Sequence, residues 1–365
     1  MSQPPYLDTT LSAKERAADL LSRLTVEEKA GQVTQYFYFG TGELPDEATL
    51  AAMTEEARDR ALQPARVEAA IERGAAGSVL LIRSAALHNA LQRKAIEGSR
   101  LGIPLIFGFD VIHGLRTILP APIALAASWC PDAIADGQAV AAREARAVGI
   151  DWTFAPMVDI ARDPRWGRIV EGAGEDPVLG AAVAAAQVRG FQGSKWADGA
   201  ALASDKVVAG PKHFAGYGAA RGGRDYEDSE ISDAELNNVY LPPFRAAVEA
   251  GAGNIMSAYM DLNGVPASGN RWLLTDVLRD QFGFTGWVVS DANAVRSLAA
   301  QHFAADLTDA GARALDAGLD MEMSMFDPAF ARLPEAIAAG QVSTEALDAA
   351  VLRVLEAKFR LGLFE

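Results

Sequence analysis

Asp291 closes the run Trp287-Val288-Val289-Ser290-Asp291, where an apolar, β-branched stretch ends abruptly on a carboxylate. A carboxylate at the carboxyl end of a strand is how an α/β barrel presents a catalytic side chain. Further runs end in the same manner, in chain order: Pro104 to Asp110, Val207 to His213, Asn254 to Tyr259 and Leu319 to Glu322. A lone Asp after a strand more often caps a helix or forms a turn, so it is the recurrence that predicts polar groups converging on one mouth. Lys212 and His213 are neighbours, and adjacent side chains of an extended segment face opposite ways. One of the pair is therefore expected in the mouth and the other behind it. Lys212 also admits a different chemistry, an aldolase-like Schiff base, on condition that burial lowers its pKa.

Hydrophobic periodicity supplies the elements that would position these groups. Ser12-Ala13-Lys14-Glu15 and Thr25-Val26-Glu27-Glu28 each fit a capping box, so two helices open the chain as a lead-in over residues 1–30. Short β-rich runs then alternate with Ala-rich helical stretches. Strands are expected near 33–38, 77–82, 104–109, 152–156, 206–212, 253–258, 286–290 and 317–322, the first being the least regular. Helices are expected near 84–99, 131–148, 179–191, 233–249, 271–280, 308–316, 328–338 and 344–359, with Ser232-Asp233-Ala234-Glu235 as another capping box. Parallel strands joined by helical crossovers are the simplest arrangement, and eight of them predict a (β/α)8 TIM barrel over 1–365. An open doubly wound sheet is the rival, but it would carry a Gly-rich turn after its first strand, and no G-x-G-x-x-G spacing occurs there. Long irregular stretches at 157–178 and 214–231 fall after strands, where barrel enzymes keep their chemistry.

Composition narrows the partners. A chain of 365 residues that is 50% hydrophobic and 22% charged can bury a large core. Its 33 Lys and Arg against 48 Asp and Glu give a net charge of −15 with no basic run, which argues against nucleic acid. Cys130 is the single cysteine, so neither an intramolecular disulfide nor a cysteine-based zinc cluster can form. His88 and His302 have no partners at metal-site spacing, and no metal or organic cofactor is expected. The stretch Met1 to Asp8 lacks a basic region followed by an apolar core, and no run reaches the ~18 apolar residues that span a bilayer. The expectation is a soluble, cytoplasmic protein with no membrane partner.

The motifs around the strand ends resemble those of glycoside hydrolase family 3. They are Phe107-Gly108-Phe109-Asp110-Val111-Ile112-His113-Gly114, then Asp163-Pro164-Arg165-Trp166-Gly167-Arg168, then Lys212-His213-Phe214 with Gly222-Gly223-Arg224-Asp225-Tyr226, and finally Val289-Ser290-Asp291. They stand in the family's order across nearly the whole chain. The resemblance implies a retaining exo-β-glycosidase, a β-glucosidase acting on small β-glucosides or short oligosaccharides from the non-reducing end. In such an enzyme one carboxylate forms a glycosyl ester that water then releases, helped by a second acid/base group. The resemblance makes Asp291 the nucleophile and Asp110, Arg168, Lys212, His213 and Tyr259 the groups around the sugar. A nucleophile must stay ionised, and Arg168 and Lys212 are expected to keep its pKa low. Arg165 is expected to shape its loop, His113, Asp225 and Glu175 to brace loops, and Met256 and Trp287 to pack.

The acid/base group is the gap. In two-domain members it comes from a second α/β domain, and the ending Val354 to Glu365 is similar to the point where the family's barrel passes into a linker. The resemblance thus implies that this domain, and the acid with it, lie outside the chain. In the single-domain branch a loop Asp-Ser-His supplies a histidine, whereas this chain has Asp228-Ser229-Glu230, which leaves Glu230 as the candidate acid within the barrel. Many glucan-cleaving relatives place Trp after the nucleophile, and here Ala292 and Asn293 follow. That departure favours short or varied aglycones. A β-xylosidase or other exo-β-glycosidase of the family, and a sugar-binding barrel inactive in isolation, are the alternatives.

Overall fold

The computed structural model describes residues 4–40 and 45–365. Ten strands are present among them: β1 Thr34–Phe37, β2 Ser78–Leu80, β3 Ile106–Phe109, β4 Trp152–Thr153, β5 Val208–Ala209, β6 Asn254–Met256, β7 Asp261–Leu262, β8 Val265–Pro266, β9 Trp287–Val289 and β10 Glu322–Ser324. Strands β10, β1, β2, β3, β4 and β5 are hydrogen-bonded in that order, and β6 pairs with β9, all in parallel. Two parallel bridges join the sets. Phe214 pairs with Ser257 beyond β5 and β6, and Val289 pairs with Met321 between β9 and β10. The circuit of eight parallel strands thereby closes in chain order, as the (β/α)8 reading requires.

Seven of the eight strands fall within the expected ranges, whereas β10 begins at Glu322, where the sequence reading ended it. The consequence is a correction. Glu322 does not belong to the mouth: its fully buried carboxylate accepts the amides of Ala329 and Phe330 at 3.0 and 2.6 Å, and burial pushes its pKa up to about 7. Both N-terminal capping boxes form as expected. At the third, Ser232 accepts the Glu235 amide at 3.2 Å, but the Glu235 carboxylate turns to Arg162 at 3.5 Å instead of reaching back.

Several elements escaped the sequence reading, among them the short helices Glu47–Ala52, Pro122–Ala126 and Ala294–Ala300, one longer helix and a hairpin. The helix Glu55–Glu72 carries Pro64 inside it, a residue that reads as a breaker, and buries only Gln63, Val67, Ala70 and Ile71, so its apolar stripe is thin. The antiparallel hairpin of β7 and β8 turns on Asn263 and Gly264, both at positive φ (51° and 81°), which is the Asn-Gly signature of a type I′ turn. Asn263 then ties the hairpin to the preceding loop, its amide nitrogen and oxygen each bonding Ile231 at 2.8 Å.

The closing seam between β9 and β10 is held by Asp320, which is 1% exposed. Its carboxylate accepts the Val288 amide at 2.7 Å and pairs with Arg279 at 2.5 Å and Arg353 at 2.7 Å. One side chain thus links β9 to the π-helix Trp272–Gln281 and to the helix Thr344–Arg360. Removing one partner of a buried ion pair strands the other charge in low dielectric. Replacing Asp320 by Asn is expected to lower unfolding free energy by about 3–5 kcal/mol, read from the urea midpoint at unchanged slope. A loss under ~1 kcal/mol would show that the surface pairs, not this seam, hold the ring.

Candidate active site

The carboxyl ends of β3, β5, β6 and β9 each deliver polar side chains into one pocket of about 220 Å³. Asp110, Arg168, Lys212, His213, Tyr259 and Asp291 all line it, together with Phe37, Leu80, Leu81, Phe154, Met256, Ala292 and Met323. Its volume falls below the range for drug-sized ligands and suits one small molecule. The six polar residues named from the sequence are therefore brought together. Lys212 and His213 both face the pocket rather than opposite sides. Strand β5 ends at Ala209, so the alternation that holds within a strand does not extend to them. Met256, expected to be packing alone, is part of the wall.

Asp291 sits at the end of β9, 7% exposed. Its Oδ1 accepts the Ala292 amide at 2.7 Å, while Oδ2 is buried without a hydrogen-bond partner among the described residues. Burial raises the pKa of this carboxyl, opposed by the Tyr259 hydroxyl, Lys212, the Ala292 amide and Arg168, all of which favour the charged form. The two cations act in the expected direction, yet the expected net lowering is reversed because desolvation outweighs them.

His213 is 1% exposed and oriented by Asp159, a residue the sequence reading did not single out. Oδ2 of Asp159 accepts both the His213 backbone amide at 3.0 Å and Nδ1 at 2.8 Å. This fixes the proton on Nδ1 and turns Nε2 toward Oδ2 of Asp291, 3.4 Å away. Burial, then the charges of Arg168 and Lys212, hold the His213 pKa well below its usual value, so the ring is neutral. Burial also pushes Asp159 up to about 7. When that carboxyl takes a proton, Oδ1 is the free position, because Oδ1 has no partner and Oδ2 holds both N–H groups.

The cations are held by carboxylates. Lys212 Nζ lies 2.5 Å from Oδ2 of Asp110, whose Oδ1 accepts the Ile112 amide at 3.1 Å. An amine destined for a Schiff base must be free to attack, and this one is held in an ion pair. Arg168 forms a fork with Glu171 at 2.7 and 3.0 Å and lies 5.6 Å from the Tyr217 ring centroid. Burial disfavours its charge, but the Glu171 hydrogen bonds and charge more than offset this, so its pKa rises.

Arg165 and Asp225 brace the loops behind these groups as expected, while His113 and Glu175 are exposed. Arg165 pairs with Asp163 at 2.6 Å, and Trp166 Nε1 donates to Asp225 at 2.9 Å. Gly218 lets the second loop approach the first: a Cβ there would lie 2.1 Å from the Ile160 carbonyl oxygen. Glu230, in contrast, does not line the pocket; its side chain is 74% exposed and pairs with Arg221 at 2.7 Å. The β7–β8 hairpin fixes that outward course, since Ser229 hydrogen-bonds Asp261 and receives Asn263. Among the described residues no group of three or more His, Cys, Asp or Glu is arranged to hold a metal, and no helix is long and apolar enough to cross a membrane.

Comparison with known proteins completes the picture. The model of the glycosyl hydrolase family 3 N-terminal domain matches residues 25–357. A periplasmic β-glucosidase of Salmonella typhimurium is 40% identical over 347 residues, which cover 95% of this chain and 42% of the relative. A β-xylosidase of Formosa agariphila is 38% identical over 295 residues, 75% of this chain and 40% of that one. The crystal structure of a β-glucosidase from Listeria innocua in complex with glucose superposes with a TM-score of 0.86 at 38% identity, covering 96% of this chain and 47% of the other. The chain spans less than half the length of each of these relatives. With the barrel, the pocket and the family model in agreement, the chain belongs to glycoside hydrolase family 3.

Proposed function

We propose that this barrel hydrolyses terminal non-reducing β-D-glucosyl residues by double displacement, with Asp291 as nucleophile. The observation that carries the reading is the Asp291 carboxylate, buried at the end of β9 in the pocket and ringed by Lys212, Arg168, His213 and Tyr259. A carboxylate in that position can turn an oxygen toward an anomeric carbon, and the surrounding cations and the Tyr259 hydroxyl favour its charged form. Asp110, Lys212, Arg168 and His213 supply acceptors and donors for ring hydroxyls. A site built this way rejects a sugar that leaves those buried groups unpaired.

A retaining pair stands ~5–5.5 Å apart, and the pocket's other carboxylate, Asp110, is committed to Lys212. We therefore assign the acid/base role to polypeptide outside this chain, a reading supported by relatives more than twice its length. Glucose against xylose is a further choice within the family, since one relative is named a β-xylosidase. The cytoplasmic expectation stands as a proposal beside a relative named periplasmic, and cell fractionation decides between them.

Incubation with a 2-deoxy-2-fluoro-β-glucoside bearing a good leaving group should label the peptide containing Asp291, with Asp291→Asn unlabelled and its turnover of aryl glucosides at least about thousandfold lower. Label on another residue would overturn the assignment. Without an internal acid, the chain should cleave activated aryl glucosides at least about a hundredfold faster than disaccharides; equal rates would place an acid within the barrel. For aryl glucosides, kcat/KM should rise with pH along one acid limb whose midpoint lies above the ordinary 3.8 of an aspartate, because Asp291 must ionise. A midpoint at or below 3.8 would overturn the role given to burial.

A further inference from the structure

Tyr226 combines features that structural economy does not explain. The residue is 61% exposed, and its backbone adopts φ 68°, a left-handed conformation that a bulky aromatic residue rarely tolerates. Yet its loop is firmly anchored. Arg221 N donates to the Asp228 carbonyl at 2.9 Å, the neighbouring Asp225 is held by the buried indole of Trp166 at 2.9 Å, and Ser229 is tied to Gly216 at 3.0 Å. An exposed aromatic ring on a loop fastened from three sides is a pre-organised surface rather than a loose one.

Its position gives that surface a use. The Tyr226 ring lies 5.0 Å from that of Tyr259 at an interplanar angle of 74°, and 6.3 Å from that of Tyr217. Tyr259 lines the pocket, and Tyr226, which is exposed and not itself part of the lining, packs one ring away from that wall. The charge of Asp291 is felt at the Tyr226 hydroxyl, which agrees with this placement. Around the mouth, Ala292 is too small to form a stacking wall, and Leu81, itself at φ 75°, leaves an apolar side chain 43% exposed.

We infer that Tyr226 is a specificity-determining residue that packs against an aromatic aglycone as it leaves the pocket. This rests on the glycosidase reading and adds to it the chemical class of the leaving group. Aromatic rings gain from edge-to-face or offset packing on a fixed ring, and the loss on truncation corresponds to roughly three- to tenfold in affinity.

Binding of phenyl 1-thio-β-D-glucoside and methyl 1-thio-β-D-glucoside, neither of which needs turnover, tests the inference in the full chain. Tyr226→Ala should weaken the phenyl ligand roughly three- to tenfold and leave the methyl ligand unchanged, while Tyr226→Phe retains both. Equal weakening of both ligands would assign Tyr226 to loop structure, and no weakening of either would remove it from the site; each result overturns the inference. So would loss of the phenyl preference in Tyr226→Phe. Labelling of wild-type Asp291 by 2-deoxy-2-fluoro-β-D-glucosyl fluoride, which has no aromatic aglycone, runs beside it. Failure there counts against the nucleophile, while the phenyl-to-methyl ratio still judges Tyr226.

Discussion

The structure depends on closing the strand circuit. Strand β5 and strand β6 meet only beyond their regular parts, through Phe214 and Ser257, and β9 meets β10 through Val289 and Met321. Opening either seam would carry Lys212 and His213 away from Asp291, or Asp291 away from β1 on the far side. A parallel ring has no local hairpins to hold neighbours together, so its closure rests on crossover helices and buried side chains. Asp320 performs this at one seam by binding a strand amide and two arginines from different helices. The pocket inherits its rigidity from that arrangement.

Within the pocket the decisive contest is between desolvation and charge. Asp291, Asp159 and His213 are almost wholly buried, and burial moves each toward its neutral form. Lys212 and Arg168 pull the two carboxyls back toward ionisation while pushing the imidazole further from it. The same cations therefore do opposite things to neighbouring groups. A pocket with two carboxylates, one imidazole and two cations, one of them paired to Asp110, follows from their placement, without any of them being unusual in isolation.

How much of this was legible in the sequence varies with the physics involved. Strand ends were readable because apolar β-branched runs stop at Asp110, His213, Tyr259 and Asp291, and the motifs around them match a family in order. Glu322 misled because a run ending on a carboxylate looks alike whether the carboxylate faces a mouth or caps buried amides. The helix Glu55–Glu72 was hidden by Pro64 and its thin apolar stripe, whereas the Asn263-Gly264 turn was available and simply outweighed by the parallel pattern around it. Asp159 had no local signal at all. Its meaning comes from a partner 54 positions away, and only the folded chain supplies that. The raised pKa of Asp291 was likewise beyond reach, since sequence names the nearby charges but not the depth of burial.

The double grip of Asp159 on His213 has a directional consequence. With Nδ1–H spent on Asp159, Nε2 can only receive a hydrogen bond, whereas Lys212 and Arg168 can only give one. Under the proposed sugar-binding role, a hydroxyl bridging imidazole and cation would accept from the cation and donate to the imidazole. Its single proton is thereby assigned an orientation before any bond is broken. A ketone or ether oxygen at the same place accepts but cannot complete the chain, and an ammonium donates but meets like charge. In that role the site would distinguish an alcohol from its nearest chemical imitations by polarity of the hydrogen-bond chain, a form of selection that needs no change of shape.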